Sequence, residues 1–243
     1  MIVNFIAEVS SNHNKDIERS IDFINMSADI GCQSVKFQLF KIDKMFTAEV
    51  LRLSPSHQLR KEWELPVTFL PDLSKVCRNR EIDLGCTPFY LDAVEELEPY
   101  VDFYKIASYE LLWEDLLKEC ATTGKPLILS TGMASEDEVR NSIDIVRNAG
   151  CENLTILHCV SNYPVPIDEC NLSAIARLRT ISQLNVGWSD HSVSPAVIFR
   201  AVYQWGATTI EFHLDLDGMG KEFNSGHCWL PRDIENVIET VNR

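Results

Sequence analysis

Short apolar runs rich in β-branched residues recur along the whole chain. Each is followed by a longer stretch whose apolar residues return at helical spacing. The runs VNFIAEV, SVKFQLF, IDLGCTPF, DFYKIAS, PLILST, NLTILHCV, LNVGWSDH and TTIEFHL are strand candidates. The stretches KDIERSIDFINMSADIG, LDAVEELEPYV and SEDEVRNSIDIVRNAG read as amphipathic helices, the first and last closing on a glycine suited to a left-handed C-cap. A last helix, PRDIENVIETVNR, opens with proline near N1. Strand and helix alternate from end to end without a linker or low-complexity break, which is the pattern of βαβ units. Eight such units fit the α/β class as a closed (β/α)8 TIM barrel. An open doubly wound sheet usually stops at about five to seven strands and has edges to protect. The expectation is one barrel domain over residues 1–243.

Two stretches are too long for simple turns, residues 40–65 after the second strand and residues 215–230 after the eighth. Each follows a strand, so both are expected on the face where barrels carry their chemistry. Composition narrows the partners. A net charge of −14 over 243 residues, with no local cluster of Lys and Arg, argues against nucleic acid and against an anionic membrane. The opening MIVNFIAEVSSNHN lacks a basic n-region, and its short apolar run contains Glu8, so a cytoplasmic address is expected. Cys32, Cys77, Cys86, Cys120, Cys151, Cys159, Cys170 and Cys228 form no CxxC pair and read as reduced thiols, mostly core filler.

Reactive side chains collect at the C-terminal tips of the strands. Glu8 ends the first, Lys36 and Gln38 the second, Thr87 the third, and Lys105 with Ser108 the fourth. Ser130 ends the fifth, Ser189 and His191 the seventh, and His213 the eighth. Because strand side chains alternate, Lys36 with Gln38 and Ser189 with His191 share a face, which would be the barrel lumen.

A lysine inside an apolar strand is costly to bury unpaired, so Lys36 and Lys105 imply an anion between them, unless each pairs with a carboxylate such as Glu8. His191 and His213 sit at neighbouring tips, where two imidazoles can meet one divalent ion with Glu8 or water completing the shell. His158 is read as structural, and His13 and His57 as exposed loop residues. No GxSxG elbow surrounds Ser130 or Ser189, so hydroxyl donors to a phosphate suit them better than nucleophiles. Thr131 and Gly132 add a candidate cradle of backbone N–H groups.

The strings IAEVSSNHN, VKFQLF, CTPFYLDAVEELE, YKIASYE, LILSTGMAS, LHCVSNYPVP, GWSDHS and IEFHLDLD, in this order, resemble the sialic acid synthase family over essentially the whole chain. The resemblance implies condensation of phosphoenolpyruvate with the open-chain aldehyde of an N-acylated amino sugar, giving a 2-keto sugar acid and phosphate. It implies that Lys36, Lys105, Thr87, Ser108, Ser130, Ser161, Tyr163 and Ser189 receive phosphoenolpyruvate. It also implies that His191 and His213 bind manganese or magnesium, that Glu8 and then Glu110 are acid/base carboxylates, and that Gln38 contacts the acceptor.

The family usually has glycine where this chain has Ser10, and again near Lys15, so the first loop is expected to differ in shape. Its sugar-holding acidic residue in the loop after the eighth strand has Glu222 as its nearest counterpart, while His227 and Trp229 in that loop have no assigned role. Family members continue into a small antifreeze-like domain that reaches across a homodimer to the acceptor sugar. This chain ends at Arg243, so the acceptor half of the site is expected to differ. Two other readings stay open from the residues. One is a Schiff-base aldolase using Lys105, which would need a neutral amine. The other is a non-catalytic partner subunit that retains the phosphoenolpyruvate pocket.

Overall fold

The computed structural model describes residues 2–243. Eight parallel strands close into a barrel: β1 Asn4–Glu8, β2 Ser34–Leu39, β3 Asp83–Pro88, β4 Phe103–Ile106, β5 Leu127–Ser130, β6 Leu154–Cys159, β7 Asn185–Asp190 and β8 Thr209–Leu214. Sequence neighbours pair throughout, and β1 pairs with both β2 and β8, which leaves no open edge in the ring. Each strand lies inside the run expected for it.

Helices α1 (Ile17–Asp29), α2 (Leu70–Arg80), α3 (Asp92–Leu97), α4 (Glu114–Thr122), α5 (Glu136–Asn148), α6 (Ala174–Ser182), α7 (Pro195–Phe199) and α8 (Pro231–Asn242) form the outer ring. Local chemistry sets their ends. Asp16 caps α1 by accepting from the N–H groups of Glu18 and Arg19, and Ser135 with Glu138 forms a capping box on α5. Gly31 (φ +87°) and Gly150 (φ +101°) follow α1 and α5 in the left-handed region, as expected of C-terminal glycines. The helix expected over 91–101 is shorter and stops at Leu97, two residues before Pro99. None of the described helices is long and apolar enough to cross a membrane. All eight cysteines are free and buried.

Strand alternation stacks the lumen in layers. Ile6, Phe103, Ile128 and Leu157 form a small apolar cluster of their own, separate from the core between strands and helices. Gly85 makes this possible, because a Cβ there would run into the Phe103 ring. Two residues further along the same strands come Glu8, Lys105, Ser130 and Cys159. The lumen therefore changes from an apolar plug to a polar floor at the C-terminal mouth.

Both long loops cover this mouth. Residues 40–65 fold into the short helices Ile42–Met45, Ala48–Leu53 and Pro55–Leu59 and the 3-10 turn Arg60–Trp63, over a cluster of Phe40, Ile42 and Leu51. Residues 215–230 return to the barrel, where β9 (Cys228–Trp229) pairs in parallel with β8 and sets Cys228 opposite His213.

Candidate functional site

A cavity of about 340 Å³ opens at the C-terminal mouth. Its wall includes Glu8, Gln38, Lys105, Ser108, Tyr163, Ser189, His191, His213 and Glu222, all singled out from the sequence, together with Glu211, His227, Arg60 and Trp63. Lys36, Thr87 and Ser130 lie buried and do not reach the wall. Ser161 opens instead into a neighbouring groove of about 500 Å³ between α5 and α6. That groove is larger, but the cavity at the mouth holds the ionisable groups.

The floor is a chain of alternating charges. Lys36 Nζ is ion-paired with Glu8 and lies 3.0 Å from Thr87 Oγ1 and 3.6 Å from Glu211 Oε2. Lys105 Nζ donates to Glu211 Oε1 at 2.9 Å, and Ser189 Oγ donates to the same oxygen at 2.8 Å. The anion expected between the two lysines is therefore, within the protein, the Glu211 carboxylate, and Glu8 compensates Lys36. Burial opposes ionisation of Glu211, but Lys105 and Lys36 outweigh it and hold its carboxyl well below the usual range. Burial pulls Lys36 down to about 8, against the attraction of Glu211. Sequence reasoning missed Glu211. The available signal was its spacing from His213 in TIEFHL, two residues away on the lumen face.

A second polar group surrounds the loop after β8. His213 Nδ1 lies 3.2 Å and His227 Nε2 3.6 Å from Glu222 Oε2, while Ser10 Oγ donates to Glu222 Oε1 at 2.5 Å. Burial works against the Glu222 carboxylate, but hydrogen bonds from His213, His227 and Ser10 hold its carboxyl far below the usual range. Burial, aided by the neighbouring His213, lowers His191 to about 3, and burial also lowers His213, so both imidazoles are neutral. His191 Nδ1 is tied to the Val160 carbonyl at 3.0 Å, which leaves Nε2 as its free lone pair. Glu8 or water was expected to complete a shell beside the histidines. The structure puts Glu222 there, because Glu8 is held by Lys36 and by the Ser10 N–H at 2.7 Å.

The loop is built to deliver Glu222. Asn12 donates through Nδ2 to the Leu214 carbonyl at 3.0 Å and accepts the Glu222 N–H at 2.8 Å. Asp215 accepts from Gly218 and Gly220 N–H and from Arg19 Nη2 on α1. A Cβ on Gly220 would strike both Asn12 and Asp215. Trp229 is structural: its Nε1–H donates to Asp190 Oδ2 at 2.9 Å, and Asp190 also accepts from Trp188. Ser10 (φ +48°), Asn14 (φ +54°) and Lys15 (φ +56°) hold left-handed backbone in the first loop, where the resembled family favours glycine.

Ser108, Ser161 and Gly132 meet at one edge of the mouth. A Cβ on Gly132 would lie 2.5 Å from Ser161 Oγ and 2.8 Å from Ser108 Oγ. The Gly132 N–H donates to Ser108 Oγ and the Thr131 N–H to the Leu157 carbonyl, so the amide cradle expected there is already used and the hydroxyls are the available donors. Ser130 Oγ and Ser161 Oγ are buried without partners. Glu110, in the turn after β4, has its carboxyl raised to about 7 by burial, partly countered by Lys105.

Two histidines depart from expectation. His13 is buried, 1% exposed and beside Phe37, because the first loop folds back under the residues 40–65 segment, where Lys15 Nζ reaches the Lys61 carbonyl. His57 is half-buried against Phe46. His158 is structural as expected, bonded to the Cys170 carbonyl and packed on Trp188.

The family model described as the NeuB family matches residues 23–243. The chain is 34% identical over 238 residues to an uncharacterized protein of Methanocaldococcus jannaschii, covering 98% of this chain and 68% of that protein. It is 33% identical over 225 residues to N,N'-diacetyllegionaminic acid synthase of Campylobacter jejuni, covering 87% and 67%. The crystal structure of N-acetylneuraminic acid (sialic acid) synthetase from Leptospira borgpetersenii, in complex with citrate, superimposes with a TM-score of 0.91 at 28% identity, covering 99% of this chain and 83% of that one.

Proposed function

The chain belongs to the NeuB family, and from that premise we propose that it condenses phosphoenolpyruvate with the open-chain aldehyde of a sugar-like acceptor, giving a 2-keto sugar acid and phosphate. The observation that carries this reading is the meeting, in one cavity, of a lysine–carboxylate floor, a hydroxyl edge and a pair of histidines, His213 and His227, around the Glu222 carboxylate. The names of the synthases among its relatives support an enzyme of the same transferase class.

Phosphoenolpyruvate carries a phosphate and a carboxylate. Lys105 on the wall, with Lys36 beneath it, supplies positive charge, and the hydroxyls of Ser108 and Tyr163 supply donors, with Ser189 turned to Glu211, Ser161 facing the neighbouring groove, and Ser130 and Thr87 behind them. Neutral imidazoles and an ionised carboxylate are the protonation states that metal ligands need, so the mouth fits a divalent ion held at His213 and the donors that converge on it. Such an ion supplies Lewis acidity at the aldehyde oxygen.

The enol carbon of phosphoenolpyruvate forms the new C–C bond to the aldehyde carbon. Water then adds at C2, and the C–O bond to phosphate breaks. Glu8 lines the cavity as a carboxylate oriented by Lys36 and is placed to move a proton there, whereas Glu110, expected as the second acid/base carboxylate, lies off the cavity wall in the turn after β4. Gln38, Arg60 and Trp63 line the side where the acceptor would enter. Lys105 Nζ is engaged by Glu211 at 2.9 Å, which favours anion binding over Schiff-base chemistry as its role.

The test is phosphate release from phosphoenolpyruvate across a panel of N-acyl amino sugars with manganese present. Release that depends on one class of aldehyde is expected. Phosphoenolpyruvate binding without release, for any acceptor, would favour the silent binding subunit.

A further inference from the structure

His213, Glu222, His227 and Cys228 each present one ligand atom, and these four atoms lie within 4.8 Å of one another. The main chain creates the grouping, because β9 sets Cys228 opposite His213 and Asn12 holds both the Glu222 N–H and Cys228 Sγ. His227 Nδ1 is buried with no partner. The His213 and His227 rings are 4.5 Å apart, whereas His191 stands 5.5 Å from His213 and 6.4 Å from His227. His191 is also covered by the Tyr163 ring at 4.0 Å.

The resemblance places the ion on His191 and His213, but the donors of this chain converge elsewhere. The geometry points to a divalent centre held by His213, Glu222, His227 and Cys228 Sγ, which takes a cation of the zinc, iron(II) or cobalt(II) class in preference to magnesium. This rests on the reading that the mouth holds a divalent ion. Two imidazoles, a carboxylate and a sulfur suit borderline cations, whereas magnesium demands an octahedron of oxygen ligands. Compactness on one loop and two strands also favours four protein ligands over a pair of histidines completed by water.

Cobalt(II) titrated into the chelator-stripped full chain reads the ligands directly. The wild type should show intense visible bands of a four-coordinate ion and a near-ultraviolet thiolate-to-cobalt band. Cys228→Ser should lose the near-ultraviolet band and keep the visible ones. His227→Gln should weaken cobalt about 100-fold in competition with a chromogenic chelator, while His191→Gln stays within about threefold. Far-ultraviolet circular dichroism and melting curves establish that each variant is folded, and Cys228→Ser keeps the test open should His227→Gln not fold. Cobalt that binds without the near-ultraviolet band and depends on His191 overturns this ligand set while leaving metal-dependent condensation in place. No cobalt uptake at all removes the metal reading with it.

Discussion

Ser10 Oγ donates to Glu222 Oε1 at 2.5 Å across 212 positions of sequence, from a backbone held at φ +48°. The bond ties the first βα loop to the last and orients the carboxylate that faces His213 and His227. Two opposing effects meet at Ser10. The hydroxyl contributes roughly 1.5–3 kcal/mol as a donor to an ionised acceptor, and the left-handed backbone costs a non-glycine residue about 1 kcal/mol. Ser10→Ala should therefore be the less stable variant, and Ser10→Gly should fall between it and the wild type. Urea unfolding of the three proteins checks the order, and a glycine variant no more stable than the alanine one would contradict it.

Glu211 sits between two buried lysines, so its loss leaves Lys105 without a counter-charge. Glu211→Gln should destabilise by about 3 kcal/mol, and adding Lys105→Met should recover a large part of that loss. Additive effects in the double variant would mean that the ion pair is not what holds the floor together.

Glu110 provides a pH signature. Its folded affinity for a proton is raised to about 7 from an ordinary value of 4.5. The unfolded chain therefore releases this proton first, and stability falls as pH rises from about 4.5 to about 7. Glu110→Gln, which has no proton to lose, should match the wild type near pH 4 and be more stable by about 2 kcal/mol at pH 8, allowing for partial exposure to water. Denaturant midpoints of the two proteins across this range decide it, and a constant difference would refute the assignment.

Gly132 tests the hydroxyl edge. A methyl group there would press on Ser161 Oγ and Ser108 Oγ and meet the Cys159 carbonyl at 3.3 Å, so both hydroxyls must turn away and Ser108 gives up its bond from the Gly132 N–H. Gly132→Ala should raise the KM for phosphoenolpyruvate about tenfold or more, with a loss of stability of only about 1 kcal/mol for the displaced Ser108 bond. An unchanged KM would move the phosphate elsewhere in the cavity.

The barrel was legible because each strand carries its own alternation and each helix its own caps, as with Asp16 and Ser135. The tip residues followed from that frame: once Lys36, Lys105, Ser189 and His213 were on strands, their facing was fixed by parity. What escaped reading was set by tertiary contact. Glu211 obeyed the same parity, but its meaning depends on two lysines from other strands. His13 lies in a loop without periodicity, and only the fold buries it. Glu222 was singled out as an acidic residue of the last loop, but its meeting with His213 and with His227, which had no assigned role, depends on a path decided by Asn12 and Asp215, residues far apart in the chain.

Phosphoenolpyruvate labelled with oxygen-18 in its bridging C–O–P position, incubated with an aldehyde acceptor and a divalent metal, reports which bond to phosphate breaks. Condensation by attack of the enol carbon, water addition at C2 and C–O cleavage predicts aldehyde-dependent phosphate that carries the label. Unlabelled phosphate, or phosphate released equally fast without the aldehyde, would contradict the account.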